Sequence, residues 1–260
     1  LSCDLSAMSL DVTDLRSFYA SALGQVAHRA VLSRVQALWP NCKGHNLLGL
    51  GFATPFLGPY HGQALRTLAF MPAEQGVLHW PDEAPNVTAL VETMALPLGD
   101  GVIDRLMVMH ALEMSDDAHA LMSEIWRVLA PGGRVLLMVP NRRGLWARFD
   151  RTPFGHGRPY SRRQLRTLLR ETEFSPLSFE EALYVPPFES RSFLRLASVF
   201  ERIGGKFALP GGGVFLVEAT KQLYRPIMVR RPVRRIVPAL APALSPVAGR
   251  AMRTIGQDKI

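Results

Sequence analysis

Several residues in this chain that could bind or react stand just after apolar runs. His110 follows the run 104–109, and Pro140-Asn141 follow 134–139. Gly49 and Gly51 lie at the close of the run 46–50, Met71 at the close of 67–71, and Glu92-Thr93-Met94 just beyond 87–91. If those runs are parallel strands, all of these residues share one rim of a sheet, and open sheets of that kind hold ligands beyond the carboxyl ends of their strands. Glycines let a backbone pass close to a ligand. A histidine titrates near neutral pH and can move a proton, though after an apolar strand it serves more often as a structural hydrogen-bonding group. The chemistry offered is the binding of a nucleotide-like cofactor, with Met109, His110, Pro140 and Asn141 where a ligand would sit.

Elements must hold these residues in place. The segment 92–141 reads as strand, helix, Gly-rich turn and strand. Leu121, Ile125, Val128 and Leu129 recur at helical spacing, Pro131-Gly132-Gly133 stops the helix, and 134–139 follows as an apolar strand. That is a βαβ unit, and two such buried strands imply a parallel sheet covered by helices. Upstream, 13–38 is predicted as one helix, capped by Asp11 or Thr13, with Leu15, Phe18, Ala22, Val26, Ala30 and Val31 on one face and Pro40 beyond its end. Strands are expected at 46–50, 67–71 and 87–91, with 63–68 a weak helical or turn segment. Downstream, a helix over 161–173 is capped by Ser161, strands are expected at 177–185 and 214–219, and a helix at 193–203 separates them. The fold class is therefore α/β: a three-layer, Rossmann-like, seven-stranded, mostly parallel sheet, with helices between the early strands.

Composition narrows the setting. A chain of 260 residues with 48% hydrophobic content supports one well-buried domain with some length left over. Two cysteines, Cys3 and Cys42, make no disulfide scaffold or zinc set, so a cytoplasmic location and no metal are expected. No run reaches the length of a membrane span. Leu1 to Ala7 precede Met8, and 1–12 is expected to be a leader outside the fold, with the domain over 13–224. The net charge of +8 is uneven: residues 221–260 hold nine Lys/Arg and one acid, while 1–220 hold 21 bases and 21 acids. A tail with five prolines after Arg225 excludes long helices, so 225–260 is expected to be a basic, Pro-rich extension that gains order by lying on this protein or on a protein partner.

The segment 92–141 resembles the second half of a class I S-adenosylmethionine (SAM) dependent methyltransferase of the type 11 kind. Leu96-Pro97-Leu98 followed by Asp104 matches an LPF and FD pattern, and His110-Ala111-Leu112-Glu113-Met114 resembles an HxLEH step. The resemblance covers roughly 13–224 and implies SAM as cofactor. By its motifs, Gly49, Gly51, Met71, Glu92, Thr93, Met94 and Met109 would line the cofactor, and Tyr19, on an N-terminal element like those that fold over it, would join them. His110, Asn141 and His156 would lie near the acceptor, His156 from the long loop 141–160 that must pass over the site. The first strand departs from the family pattern. Gly49 stands where an acid is expected, and Ala53 and Pro55 replace two glycines of a GxGxG loop. At the end of the second strand Phe70-Met71-Pro72-Ala73-Glu74 offers no ribose-binding acid in register.

Two readings follow. One is a SAM-dependent methyltransferase acting on a small-molecule or protein acceptor. The other is a catalytically degenerate methyltransferase fold that binds or regulates another enzyme, a glyoxalase II-like hydrolase among the candidates that the resemblance suggests. A neutral main domain and a tail without interleaved aromatics argue against nucleic acid. The missing GxGxxG with a distant ribose acid argues against a dinucleotide dehydrogenase.

Overall fold

A computed structural model describes residues 10–188, 200–201, 204 and 211–222. The chain divides at Tyr224/Arg225, and everything described belongs to the first unit. Of the expected leader only residues 10–12 are described, and Val12 already begins α1; the helix at 193–203, but for its residues 200 and 201, and the basic extension lie outside the described residues.

Seven strands form one sheet: β1 (Asn46–Gly51), β2 (Arg66–Pro72), β3 (Thr88–Val91), β4 (Ile103–Met109), β5 (Leu129–Pro140), β6 (Phe174–Ala182) and β7 (Val214–Lys221). Their order is β3-β2-β1-β4-β5-β7-β6, with β7 antiparallel to both of its neighbours and the other pairs parallel. The expected seven-stranded, mostly parallel α/β sheet is therefore present. Alternate side chains face opposite ways along a strand, and the sheet splits its core accordingly. Leu47, Met71, Met107, Met109, Met138 and Leu216 pack on one face with α1 (Val12–Ala20), α2 (Ala22–Leu38) and the one-turn α3 (Thr54–Leu57). Leu48, Leu50, Leu106, Val108, Leu137 and Val217 pack on the other with α4 (Ala118–Val128) and α5 (Arg162–Glu171).

Three expectations are corrected. The helix over 13–38 is two helices, because Ser21 is extended, donates its N–H back to Phe18 and turns its hydroxyl onward to cap Gly24 N at 3.0 Å. Gly24 is what lets the two helices join so tightly: a Cβ there would collide with the Phe18 carbonyl and stand 2.8 Å from Tyr19 Cα. Second, no helix joins β2 to β3 or β3 to β4, and the β1–β2 crossover has only α3 and a short 3-10 turn. Pro55, Gly58 and Pro59 keep that crossover short, and the N-terminal pair α1–α2 covers the face instead. Third, β5 starts at Leu129 and runs through Pro131-Gly132-Gly133, with a register shift against β4 between Ile103 and Arg105. The Gly-rich stretch that ends α4 is absorbed as an irregular strand start. The remaining boundaries agree to within a few residues, and Ser161 caps α5 in a full capping box with Gln164.

Candidate functional site

The carboxyl ends of β1 and β4 are in register, Gly51 beside Met109. Gly51 has φ +81°, and a Cβ there would collide with the Met109 carbonyl oxygen and approach Ala111 Cβ to 2.9 Å. Only glycine fits. The turn it makes sends Phe52 N–H onto the Met109 carbonyl at 2.8 Å, which welds the β1 turn to the end of β4. Gly49 lies two residues inside the strand, paired with Ala69 and Met107. A Cβ there would stand 2.7 Å from Leu57 Cδ1, so this glycine lets α3 sit down on β1.

His110 takes the next place after β4, with φ +54° and no solvent exposure. Its Nδ1 lies 3.2 Å from Glu113 Oε1 and its Nε2 2.9 Å from the Tyr19 hydroxyl, all three side chains being buried. A neutral imidazole satisfies both contacts, Nδ1–H donating to the carboxylate and Nε2 accepting from the phenol. Burial, reinforced by the Glu113 charge, pushes the Tyr19 phenol well above its usual range and keeps it a donor. Glu113 Oε2 is buried without a hydrogen-bond partner. Around this Tyr–His–Glu chain the Tyr19 ring stacks on Phe52 (centroids 5.7 Å apart), and Phe154 packs on His110 at 5.1 Å. Gln75, buried in the turn after β2, reaches over the end of β1 and donates its amide to the His110 carbonyl. Its own carbonyl receives Val12 N–H at 2.8 Å. The first turn of α1 is thereby fixed across the rim.

The sequence-derived residues fall into three groups. Tyr19, Gly51, Met109 and His110 come together. Glu92, Thr93 and Met94 stand on the same rim after β3, two strands from β1, with Glu92 exposed, Thr93 half-buried and Met94 40% exposed. The stretch from Leu96 to Leu98 beneath them is clamped from α4: Leu96 N–H donates to Glu124 at 2.6 Å, and Arg127 donates to the Leu96 and Leu98 carbonyls at 3.1 and 2.8 Å. Met71 is buried, its sulfur 3.5 Å from Leu78 N, and so lies beneath the rim. Asn141 gives Nδ2–H to the Gly212 carbonyl at 2.8 Å and accepts Arg143 N–H at 3.0 Å, which ties the end of β5 to the start of β7. His156 donates to the Asp150 carbonyl at 2.6 Å within its own loop. That loop covers the His110 step as expected: Arg158 N–H bonds the Glu113 carbonyl at 2.8 Å, and Gly157 lies against the same group. Gln75, Phe52 and Phe154 did not stand out from sequence, and Glu113 stood out only as part of the step from His110 to Met114. The three-residue spacing of His110 and Glu113 was a usable signal, whereas nothing local marks Gln75. Among the described residues no group of three metal-ligating side chains occurs, and no helix is long and apolar enough to cross a membrane.

Residues 52–178 match the family model described as a methyltransferase domain. Over that stretch the protein resembles a methyltransferase domain. Solved structures carry the same fold. A SAM-dependent methyltransferase from Thermotoga maritima is 17% identical with a TM-score of 0.56, over 81% of this chain and 96% of that one. A chain from the complex of the Haloferax volcanii Trm112 methyltransferase activator with a methyltransferase is 17% identical at TM-score 0.55, over 81% and 97%. The [4+2]-cyclase SpnF is 24% identical at TM-score 0.53, over 77% and 82%. No curated protein matches the sequence.

Proposed function

We propose that this chain transfers a methyl group from SAM to an acceptor at the rim over β1 and β4. The observation that carries the reading is the Gly51 turn held beside Met109 and followed directly by the buried His110–Glu113 pair. The donor set suits the cofactor at two of its three parts. At the methionine end the turn has no side chain at Gly51, and the His110 carbonyl, now receiving the Gln75 amide, is an acceptor of the kind that SAM's ammonium needs. At the adenine end the stretch 92–94 offers backbone amides and the half-exposed Met94. At the ribose, Met71 and Pro72 stand in place of an acid, so the two hydroxyls lose a bidentate charged contact.

When bound, SAM supplies an electrophilic methyl carbon. The chain's residues do the rest. Tyr19 and Gln75 occupy the crevice in this closed arrangement and move aside for the cofactor, taking the first turn of α1 with them. Phe154 and Phe52 keep water from the transfer zone. His110 Nε2, released by Tyr19, accepts the acceptor's proton where the acceptor must lose one, and Glu113 steadies the imidazolium that results. An acceptor with a free lone pair needs only alignment. A protein partner is compatible with this reading, since one structural relative is half of an activator complex.

Calorimetric titration of SAM and S-adenosylhomocysteine tests it. Micromolar binding abolished by Gly51→Trp and weakened by Met94→Asp is expected. No binding at millimolar ligand would sink the proposal.

A further inference from the structure

The charge of the described domain is segregated along the chain. Residues 1–140 carry eight bases against thirteen acids and 171–220 four against seven, whereas 141–170 hold nine arginines and one acid, Asp150. All nine arginines are exposed, and among the described residues none takes part in an ion pair. The fold brings those at the loop's ends beside those of α5. Arg142 N–H bonds the Tyr160 carbonyl at 2.9 Å and Tyr160 N–H bonds the Pro140 carbonyl at 2.9 Å, so both legs of the loop meet beside the start of α5. Along α5, Leu165, Leu168 and Leu169 face the core, and Arg162, Arg163, Arg166 and Arg170 take the outer side. One apolar side chain rises among them. Leu145 is 44% exposed between two buried neighbours, Gly144, where a Cβ would stand 2.7 Å from the Gly212 carbonyl, and Trp146, whose indole bonds the Val185 carbonyl at 2.7 Å. The loop thus presents Leu145 on a fixed backbone.

We propose that this arginine face is a docking surface for an anionic lipid bilayer. A ten-residue helix spans about 15 Å, so these charges are too widely spread for one small anion and fit an extended anionic surface. A fixed exposed leucine amid the arginines suits the boundary between headgroups and acyl chains. A single-stranded nucleic acid would call for exposed aromatics to stack its bases. In 141–170 Trp146 and Phe154 are buried, and Phe149 and Tyr160 are partly so. The proposal does not depend on methyl transfer.

The test is co-sedimentation of the full chain with vesicles of phosphatidylcholine alone or mixed with phosphatidylglycerol. Binding is expected only to the anionic vesicles, and it should weaken with salt. Arg142→Gln, Arg143→Gln and Arg163→Gln together should lower partitioning about a hundredfold, at about fivefold per charge near an anionic surface. The matching triple Lys variant should keep it, and Leu145→Ser should lower it severalfold at every salt concentration. Melting curves check that each variant folds. The basic tail is intact in all of them, so equal partitioning of the Gln variant and the parent would overturn the proposal. So would no vesicle binding by the parent, or preference for duplex or single-stranded nucleic acid over anionic vesicles.

Discussion

Gly51→Ala is the sharpest probe of the site, because the cost can be worked from geometry. An L-residue at φ +81° pays about 1 to 2 kcal/mol for the left-handed conformation. The new methyl also drives into the Met109 carbonyl and closes on Ala111 Cβ, so the end of β1 has to move away from β4. Such a shift stretches the Phe52 N–H to Met109 bond, now 2.8 Å, and a buried group left unpaired costs about 1 to 3 kcal/mol. Together these give about 2 to 5 kcal/mol. In a domain of this size each kcal/mol moves Tm by about 2 to 4 °C, so a fall of roughly 4 to 20 °C is expected by calorimetry or circular dichroism. Gly58→Ala is the control. Gly58 has helical φ −47° and ψ −49°, and a Cβ there meets nothing within 4 Å, so the substitution should be neutral or add about 0.4 to 1 kcal/mol. If the two variants melt within a degree of each other, the account of the β1 turn is wrong, and with it the claim that only glycine brings this turn against β4.

Tyr19→Phe leaves His110 Nε2 buried without its donor and should cost about 1 to 3 kcal/mol in urea denaturation. It should also tighten SAM binding, because one contact closing the crevice is gone; unchanged affinity would mean that Tyr19 is no barrier to the cofactor. Arg127→Ala lies away from the rim but removes the clamp on the stretch from Leu96 to Leu98, so calorimetric SAM affinity should drop severalfold through loss of order at 92–94. Stability should also fall in alkali. Burial raises the phenols of Tyr19, Tyr160 and Tyr184, the latter two to about 12 from an ordinary 10. A group whose folded pKa lies above its unfolded one contributes fully below the unfolded value and progressively loses that contribution above it. Denaturation midpoints should therefore be insensitive to these groups up to about pH 9 and decline between about pH 10 and 12; a flat profile across that window would refute the burial assignment.

Much of the fold could be read along the chain. Apolar runs of strand length and helical repeats such as Leu165, Leu168 and Leu169 record burial locally, because a side chain's preference for the core depends little on which partner it meets. Ser161 and Gln164 likewise announce a helix start through contacts three residues apart. The break at Ser21 was hidden, since the periodicity of 13–38 continues through it and the kink depends on Gly24 passing Phe18.

The site divides along the same line. By itself the sequence determined that Gly51, Met109, His110 and Glu92 to Met94 stand at strand ends, because strand ends are marked by local residue types. Only the tertiary structure decided what those residues touch. Tyr19 meets His110 across 91 positions and Gln75 reaches it across 35, and such contacts leave no periodic trace in the chain. The same holds for Asn141, whose Nδ2–H goes to a carbonyl 71 positions away, and for Arg142, which is brought beside the start of α5 only by its bond to Tyr160. Local propensity fixes where an element begins and ends, while packing of distant elements fixes which polar atoms are satisfied and which remain to act.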